Sequence, residues 1–63
     1  MNVMQQIRQL ESVGFAGETL DRAVAAAGAN RLFYQALYRA VKELGVPPTE
    51  ALRLAEAGSL SNF

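Results

Sequence analysis

Apolar residues recur along the chain at intervals of three and four positions, and no stretch sustains a period of two. Intervals of three and four place residues on one face of an α-helix, whereas a half-buried strand alternates. Five glycines divide this pattern, and four of them follow an apolar-periodic segment, where a left-handed residue commonly ends a helix. We therefore predict an all-α fold, a compact three-helix bundle with a short fourth helix at its C-terminal end.

The chain is predicted to form a single domain over residues 1–63. Asn2 and Asn30 are suited to cap the first and third helices, because their side-chain oxygens accept from unpaired N–H groups. Pro48 suits the first turn of the fourth helix, where its missing N–H is not needed. The predicted helices cover residues 2–13, 18–27, 31–44 and 48–57, and an extended tail covers residues 59–63.

The third predicted helix carries more large apolar side chains than one buried face requires. At about 100° per residue, its inward line consists of Phe33, Leu37, Ala40 and Leu44. A second stripe on one flank consists of Tyr34, Tyr38 and Val41, and Leu32 extends the other edge. Either the fourth helix covers the tyrosines and leaves only their hydroxyls in water, or the stripe contacts a partner, a role in which Tyr is enriched.

We predict that at least one tyrosine lies at an interface, because the rest of the apolar content is rich in small Ala residues. Tyr34, Tyr38 and Val41 would anchor the partner, and a rim would be formed by Arg31, Arg39 and Lys42. In the tail, Leu60 and Phe63 are costly to leave in water, so we expect them to dock on the bundle or on a neighbour.

Composition excludes several classes of function. The chain has no Cys and no His, so disulfides, zinc fingers and Ser–His or Cys–His catalysis are ruled out. Glu18 and Asp21 share a helical face, but too few oxygen ligands surround them for a metal. A domain of 63 residues is also too small to enclose a substrate pocket without losing its core. We predict a protein that is not an enzyme and binds no cofactor or metal.

Six basic and six acidic residues cancel, and no long apolar segment or signal-peptide pattern is present. We therefore expect no membrane association and a cytoplasmic location, or a location inside a phage particle. The Ala-, Arg- and Gly-rich, Lys-poor composition favours a bacterial or phage source.

The first two helices resemble a known family in the spacing of nine residues: Ile7, Leu10, Val13, Gly14, Phe15, Ala23, Val24, Gly28 and Asn30. This spacing is similar to the first half of a ubiquitin-associated domain. The resemblance implies a three-helix fold and a protein-binding role, with Val13, Gly14 and Phe15 on the binding surface. It covers about half of the chain and stops at Tyr34 and Gln35, where the family has Ala and then Val or Ile.

The same loop has a purely structural interpretation. Gly14 and Phe15 fit a Schellman ending of the first helix, in which a buried Phe15 folds back on Leu10.

A second resemblance concerns residues 23–37, whose helix, glycine turn and helix are similar to a helix-turn-helix DNA reader. It implies that Arg31, Gln35, Arg39 and Lys42 face the DNA. Val24 stands where that family has Ala, Tyr34 falls on an inward position, and the neutral charge is unlike that of a DNA-binding domain.

The sequence thus favours a small protein-interaction module, such as an adaptor, an inhibitor of a larger host protein or a subunit of an assembly such as a virion. It would bind a protein partner or a second copy of itself. The alternative is a small DNA-binding regulator that uses the third helix.

Overall fold

The computed structural model describes residues 2–58. Over these residues the chain forms four α-helices and no strand: α1 (Val3–Ser12), α2 (Gly17–Ala27), α3 (Arg31–Lys42) and α4 (Pro48–Glu56). The all-α prediction is confirmed, and each predicted helix end lies within two residues of the observed one. The predicted docking of Leu60 and Phe63 lies outside the described residues.

The two predicted asparagine caps are present. The Oδ1 atom of Asn2 accepts a hydrogen bond of 2.9 Å from the N–H of Gln5. The Oδ1 atom of Asn30 accepts from two N–H groups, those of Leu32 at 3.1 Å and Phe33 at 3.4 Å. Each cap therefore satisfies donors that the first turn of a helix leaves without an internal partner.

A Schellman motif ends α1, as its sequence predicts. The N–H of Phe15 donates to the carbonyl of Leu10 at 3.1 Å, and the N–H of Gly14 donates to that of Glu11 at 3.1 Å. Gly14 has a φ of +110°, and a Cβ at this position would lie 3.3 Å from Cγ of Pro48. Glycine is therefore favoured here both by the turn and by the close approach of the first turn of α4.

The buried core draws on all four helices and on the α1–α2 loop, and α3 makes the most extensive helix contacts, with α1 and α4. α2 packs against α3 and α4. Within residues 2–58, nine apolar residues are buried: Leu10, Phe15, Ala23, Ala27, Tyr34, Leu37, Ala40, Ala51 and Leu52. Because four of the nine are Ala, the five larger side chains supply most of the buried apolar area.

The C-terminal end of α3 differs from the prediction. The helix ends at Lys42 rather than at Leu44, and Gly45 then adopts a φ of +71°. This turn lets the N–H of Val46 donate to the carbonyl of Ala40 at 3.1 Å. Leu44 consequently lies in the turn, 54% exposed, and is not part of the inward line of α3.

Candidate functional site

Tyr34 belongs to the core and not to an exposed stripe, which corrects the prediction for this residue. Its side chain is 1% exposed and packs in the cluster that includes Ala27 and Leu52. Its hydroxyl donates a 2.8 Å hydrogen bond to the carbonyl of Gly28, at the end of α2. A buried polar group without a hydrogen-bond partner is costly. This bond satisfies the Tyr34 hydroxyl within the fold.

Tyr38 lies one turn further along α3 and is only half-buried, as is Val41. The Nζ atom of the exposed Lys42 lies 5.5 Å from the centroid of the Tyr38 ring, within the range of a cation–π contact. A hydrogen bond to Tyr38, followed by their electrostatic interaction, raises the pKa of Lys42. We call these three residues, Tyr38, Val41 and Lys42, the Tyr38 surface.

The three residues of the predicted basic rim do not lie together. Lys42 accompanies Tyr38, whereas Arg39 forms a 3.3 Å ion pair with Glu43, one turn further on. Arg31 is exposed in the first turn of α3. At about 100° per residue, Arg39 lies about a quarter of a turn from Tyr38, so it does not border the ring as Lys42 does.

The loop suggested by the resemblance to ubiquitin-associated domains presents little apolar surface. Phe15 is 1% exposed, Val13 is half-buried and Gly14 is exposed. The aromatic side chain is therefore not available for contact, because the Schellman turn directs it into the core.

The opposite flank of α3 carries a pocket that the sequence pattern did not identify. It has a volume of about 110 Å³, a mostly apolar lining and four lining residues: Arg39, Ala40, Glu43 and Leu44. At the other end of the helix, Leu32 is 72% exposed. The spacing of Leu32, Ala36, Ala40 and Leu44 at four-residue intervals was the available signal. The inward line predicted for α3 includes both Ala40 and Leu44. Ala40 is buried as predicted, whereas Leu44 is exposed in the turn after the helix and lines the pocket.

A wider open groove of about 300 Å³ lies between α2 and α4, lined by Thr19, Arg22, Thr49, Leu52, Arg53 and Glu56. Its charged groups are engaged in ion pairs. Arg22 and Glu56 join the two helices at 3.1 Å, and Arg53 binds Glu50 within α4. The hydrogen bond from Arg53 lowers the pKa of Glu50 below its ordinary value.

Within residues 2–58, no three acidic residues come close enough to form a metal site. None of the four helices has both the length and the apolar composition needed to cross a bilayer.

The chain has no match among protein-family models, curated proteins or solved structures. Both family resemblances therefore stay predictions.

Proposed function

We propose that the protein is a small protein-interaction module that binds its partner through the Tyr38 surface on the C-terminal half of α3. The observation that carries this proposal is the position of Tyr38, half-buried beside Val41 with a lysine ammonium 5.5 Å from its ring centroid. Tyr34, one turn earlier, is fully enclosed and hydrogen-bonded within the fold.

The chemistry of the Tyr38 surface suits a protein partner. A tyrosine that is already partly packed loses little rotamer freedom on binding, and its ring offers a large apolar area with a polar tip. Val41 extends the apolar area, and Lys42 supplies a charge that orients an acidic or carbonyl-bearing partner. Tyr, with a few apolar neighbours and a polar rim, is the usual composition of an interface hot spot.

The test is photo-crosslinking in the source cell with a photoreactive amino acid at position 38. The matched control carries the same group at Arg8, which is exposed on α1. We expect a discrete protein adduct from position 38 that disappears when Lys42→Glu or Val41→Asp is added. Equal adduct patterns from positions 38 and 8 would contradict the proposal.

A salt titration distinguishes this function from DNA binding. If Arg31 and Lys42 contacted phosphates, affinity for a DNA duplex would fall steeply with salt, because binding would release counterions. Binding through the Tyr38 surface depends on apolar contact, so it should change far less between low and high salt.

A further inference from the structure

One side of α3 carries a stripe of four residues that runs the length of the helix. At about 100° per residue, these residues fall within about 60° of the helix circumference. Arg31 and Lys42, at the two ends, are exposed, whereas Gln35 and Tyr38 between them are half-buried. We call these four residues, Arg31, Gln35, Tyr38 and Lys42, the basic stripe. It shares Tyr38 and Lys42 with the Tyr38 surface and extends that surface toward the N-terminal end of α3.

The charges of the basic stripe are not neutralised by the part of the chain that the structure describes. α3 has no acidic residue, whereas each of the other three helices has at least one. Within residues 2–58, the basic side chains that form an ion pair with a glutamate are Arg22, Arg39 and Arg53. Arg31 and Lys42 are not among them. Glu43, the acidic residue nearest to Lys42 in sequence, is paired with Arg39.

We infer that the partner of the Tyr38 surface lays an acidic segment of polypeptide along the basic stripe, with a carboxylate at each end and an apolar side chain against Tyr38. This inference rests on the proposed function and specifies the chemistry of the partner. At about 1.5 Å per residue, Arg31 and Lys42 are about 16.5 Å apart along the helix axis. Two carboxylates at this separation are about five residues apart in an extended segment and about eleven apart in a helix.

The side chains of the stripe suit this ligand. Arg31 offers a planar fork of N–H donors that matches a carboxylate, and Lys42 offers three donors on a flexible stem. Gln35 has an amide that both donates and accepts, as a peptide group does. The Tyr38 ring and Val41 supply the apolar contact, while the two charges select an acidic partner and fix its register.

A nucleic acid fits the stripe less well than a polypeptide does. A DNA strand places a phosphate about every 3.4 Å along its axis, so a strand lying along the stripe brings about five phosphates to two cations. The chain has six basic and six acidic residues, and so has no net charge to attract a polyanion. A segment with two separated carboxylates matches the two cations one to one.

The first test is selection from a displayed library of random peptides, each about 20 residues long, which is enough to span the stripe as an extended segment or as a helix. The target is the full chain. We expect the enriched peptides to carry two acidic residues at one of the two expected spacings, with an apolar residue between them. Enrichment of neutral or basic peptides, or of no peptide at all, would overturn the inference.

Charge variants of the chain then locate the contact, with fluorescence anisotropy of one enriched peptide as the readout. Arg31→Gln should raise the dissociation constant about two- to fivefold, the range of one exposed ion pair. Arg31→Glu should raise it about tenfold, because it brings like charges together. The fold should tolerate this variant, since a negative charge is favoured in the first turn of a helix.

Arg8→Glu is the matched control, because Arg8 is also exposed but lies on α1. It should leave the dissociation constant unchanged, and an effect equal to that of Arg31→Glu would count against the stripe. Replacing the acidic residue of the peptide that faces position 31 by Lys should restore binding to Arg31→Glu and weaken binding to the wild type. If neither acidic position of the peptide gives this exchange, Arg31 is not in contact with a carboxylate.

Tyr38→Ala separates this inference from the proposed function. Peptides that lose affinity for Tyr38→Ala but not for Arg31→Glu would leave the proposed function standing and refute the acidic segment. Peptides that bind Tyr38→Ala as tightly as the wild type would refute both. A DNA duplex that binds more tightly than the peptides would assign the stripe to a different ligand. So would self-association that Arg31→Glu abolishes in sedimentation equilibrium.

Discussion

The two tyrosines of α3 lie one helical turn apart, yet they belong to different parts of the molecule. In the N-terminal half of the helix, the side chains of Tyr34 and Asn30 form hydrogen bonds within the fold. The hydroxyl of Tyr34 donates a hydrogen bond to the carbonyl of Gly28. The side chain of Asn30 accepts hydrogen bonds from two N–H groups at the start of the helix. The ring of Tyr38 is half-buried, and the Nζ atom of the exposed Lys42 lies 5.5 Å from its centroid. A difference of one turn thus separates a fully enclosed, hydrogen-bonded tyrosine from one that is partly exposed.

The difference has a simple physical origin. A step of four residues advances about 40° around the helix, so Tyr38 points further from the core than Tyr34 does. The first tyrosine lies over the end of α2, where Gly28 presents its carbonyl, and the second lies beyond that cover. The same residue type therefore serves packing in one place and recognition, as we propose, in the other.

Truncating each tyrosine to Ala should give the largest difference in stability between the two positions. Tyr34→Ala should destabilise the protein by about 3–5 kcal/mol, the usual cost of emptying a buried aromatic site. A chain of 63 residues has roughly 3–9 kcal/mol of stability in total, so this variant should be largely unfolded at 37 °C. Tyr38→Ala should cost clearly less, because that side chain is only partly buried. Urea denaturation followed by circular dichroism measures both.

Phe15→Ala should destabilise the protein by an amount similar to Tyr34→Ala, because both side chains are 1% exposed. If Phe15→Ala or Tyr34→Ala kept the wild-type urea midpoint, or if Tyr38→Ala unfolded the protein, the assignment of core and surface would be wrong.

Removing only the hydroxyl groups should give a smaller difference in stability between the two positions. Tyr34→Phe leaves the buried carbonyl of Gly28 without its donor and should cost about 1–2 kcal/mol. Tyr38→Phe removes a hydroxyl near the surface and should change stability by less than about 0.5 kcal/mol. Equal losses of stability in the two variants would show that the Tyr34 hydrogen bond stabilises the fold no more than the Tyr38 hydroxyl does.

A smaller difference in stability is expected between variants that remove a polar contact at one end of α3 or the other. Asn30→Ala removes a cap that serves two N–H groups and should cost about 1 kcal/mol. Arg39→Gln removes an exposed ion pair with Glu43 and should cost about 0.3–0.5 kcal/mol. The test compares thermal unfolding at low and high salt. Only the effect of Arg39→Gln should shrink in high salt, because screening weakens exposed pairs.

The smallest effect concerns the proton on Lys42, the single lysine of the chain. Its interaction with Tyr38 raises the pKa of Lys42 above the ordinary value of 10.5. A raised pKa in the folded state contributes stability that is present below pH 10.5 and is lost as the pH rises through the folded value. An NMR titration of the lysine side chain should show the raised pKa, and Tyr38→Phe should lower it toward the ordinary value. No change in that variant would mean that Lys42 and Tyr38 do not interact.

Much of the fold followed from the sequence because helix ends have local causes. Asn2 and Asn30 cap the next turn with their own side chains, and Gly14 permits the left-handed turn that ends α1. Each of these features involves residues within a few positions of one another, so the order and the approximate bounds of the helices could be predicted. The choice of helix over strand rested equally on local apolar spacing.

Tertiary structure decided which apolar residues of α3 are covered. Periodicity placed both tyrosines on one stripe, but only packing against α2 shows that Tyr34 is enclosed and that Tyr38 is not. The spacing of Leu44 predicts a core position, but the turn at Gly45 exposes this residue. Spacing gives the direction of a side chain from its own helix axis. Burial depends on what the rest of the chain places in that direction, and this is set by contacts between residues far apart in sequence.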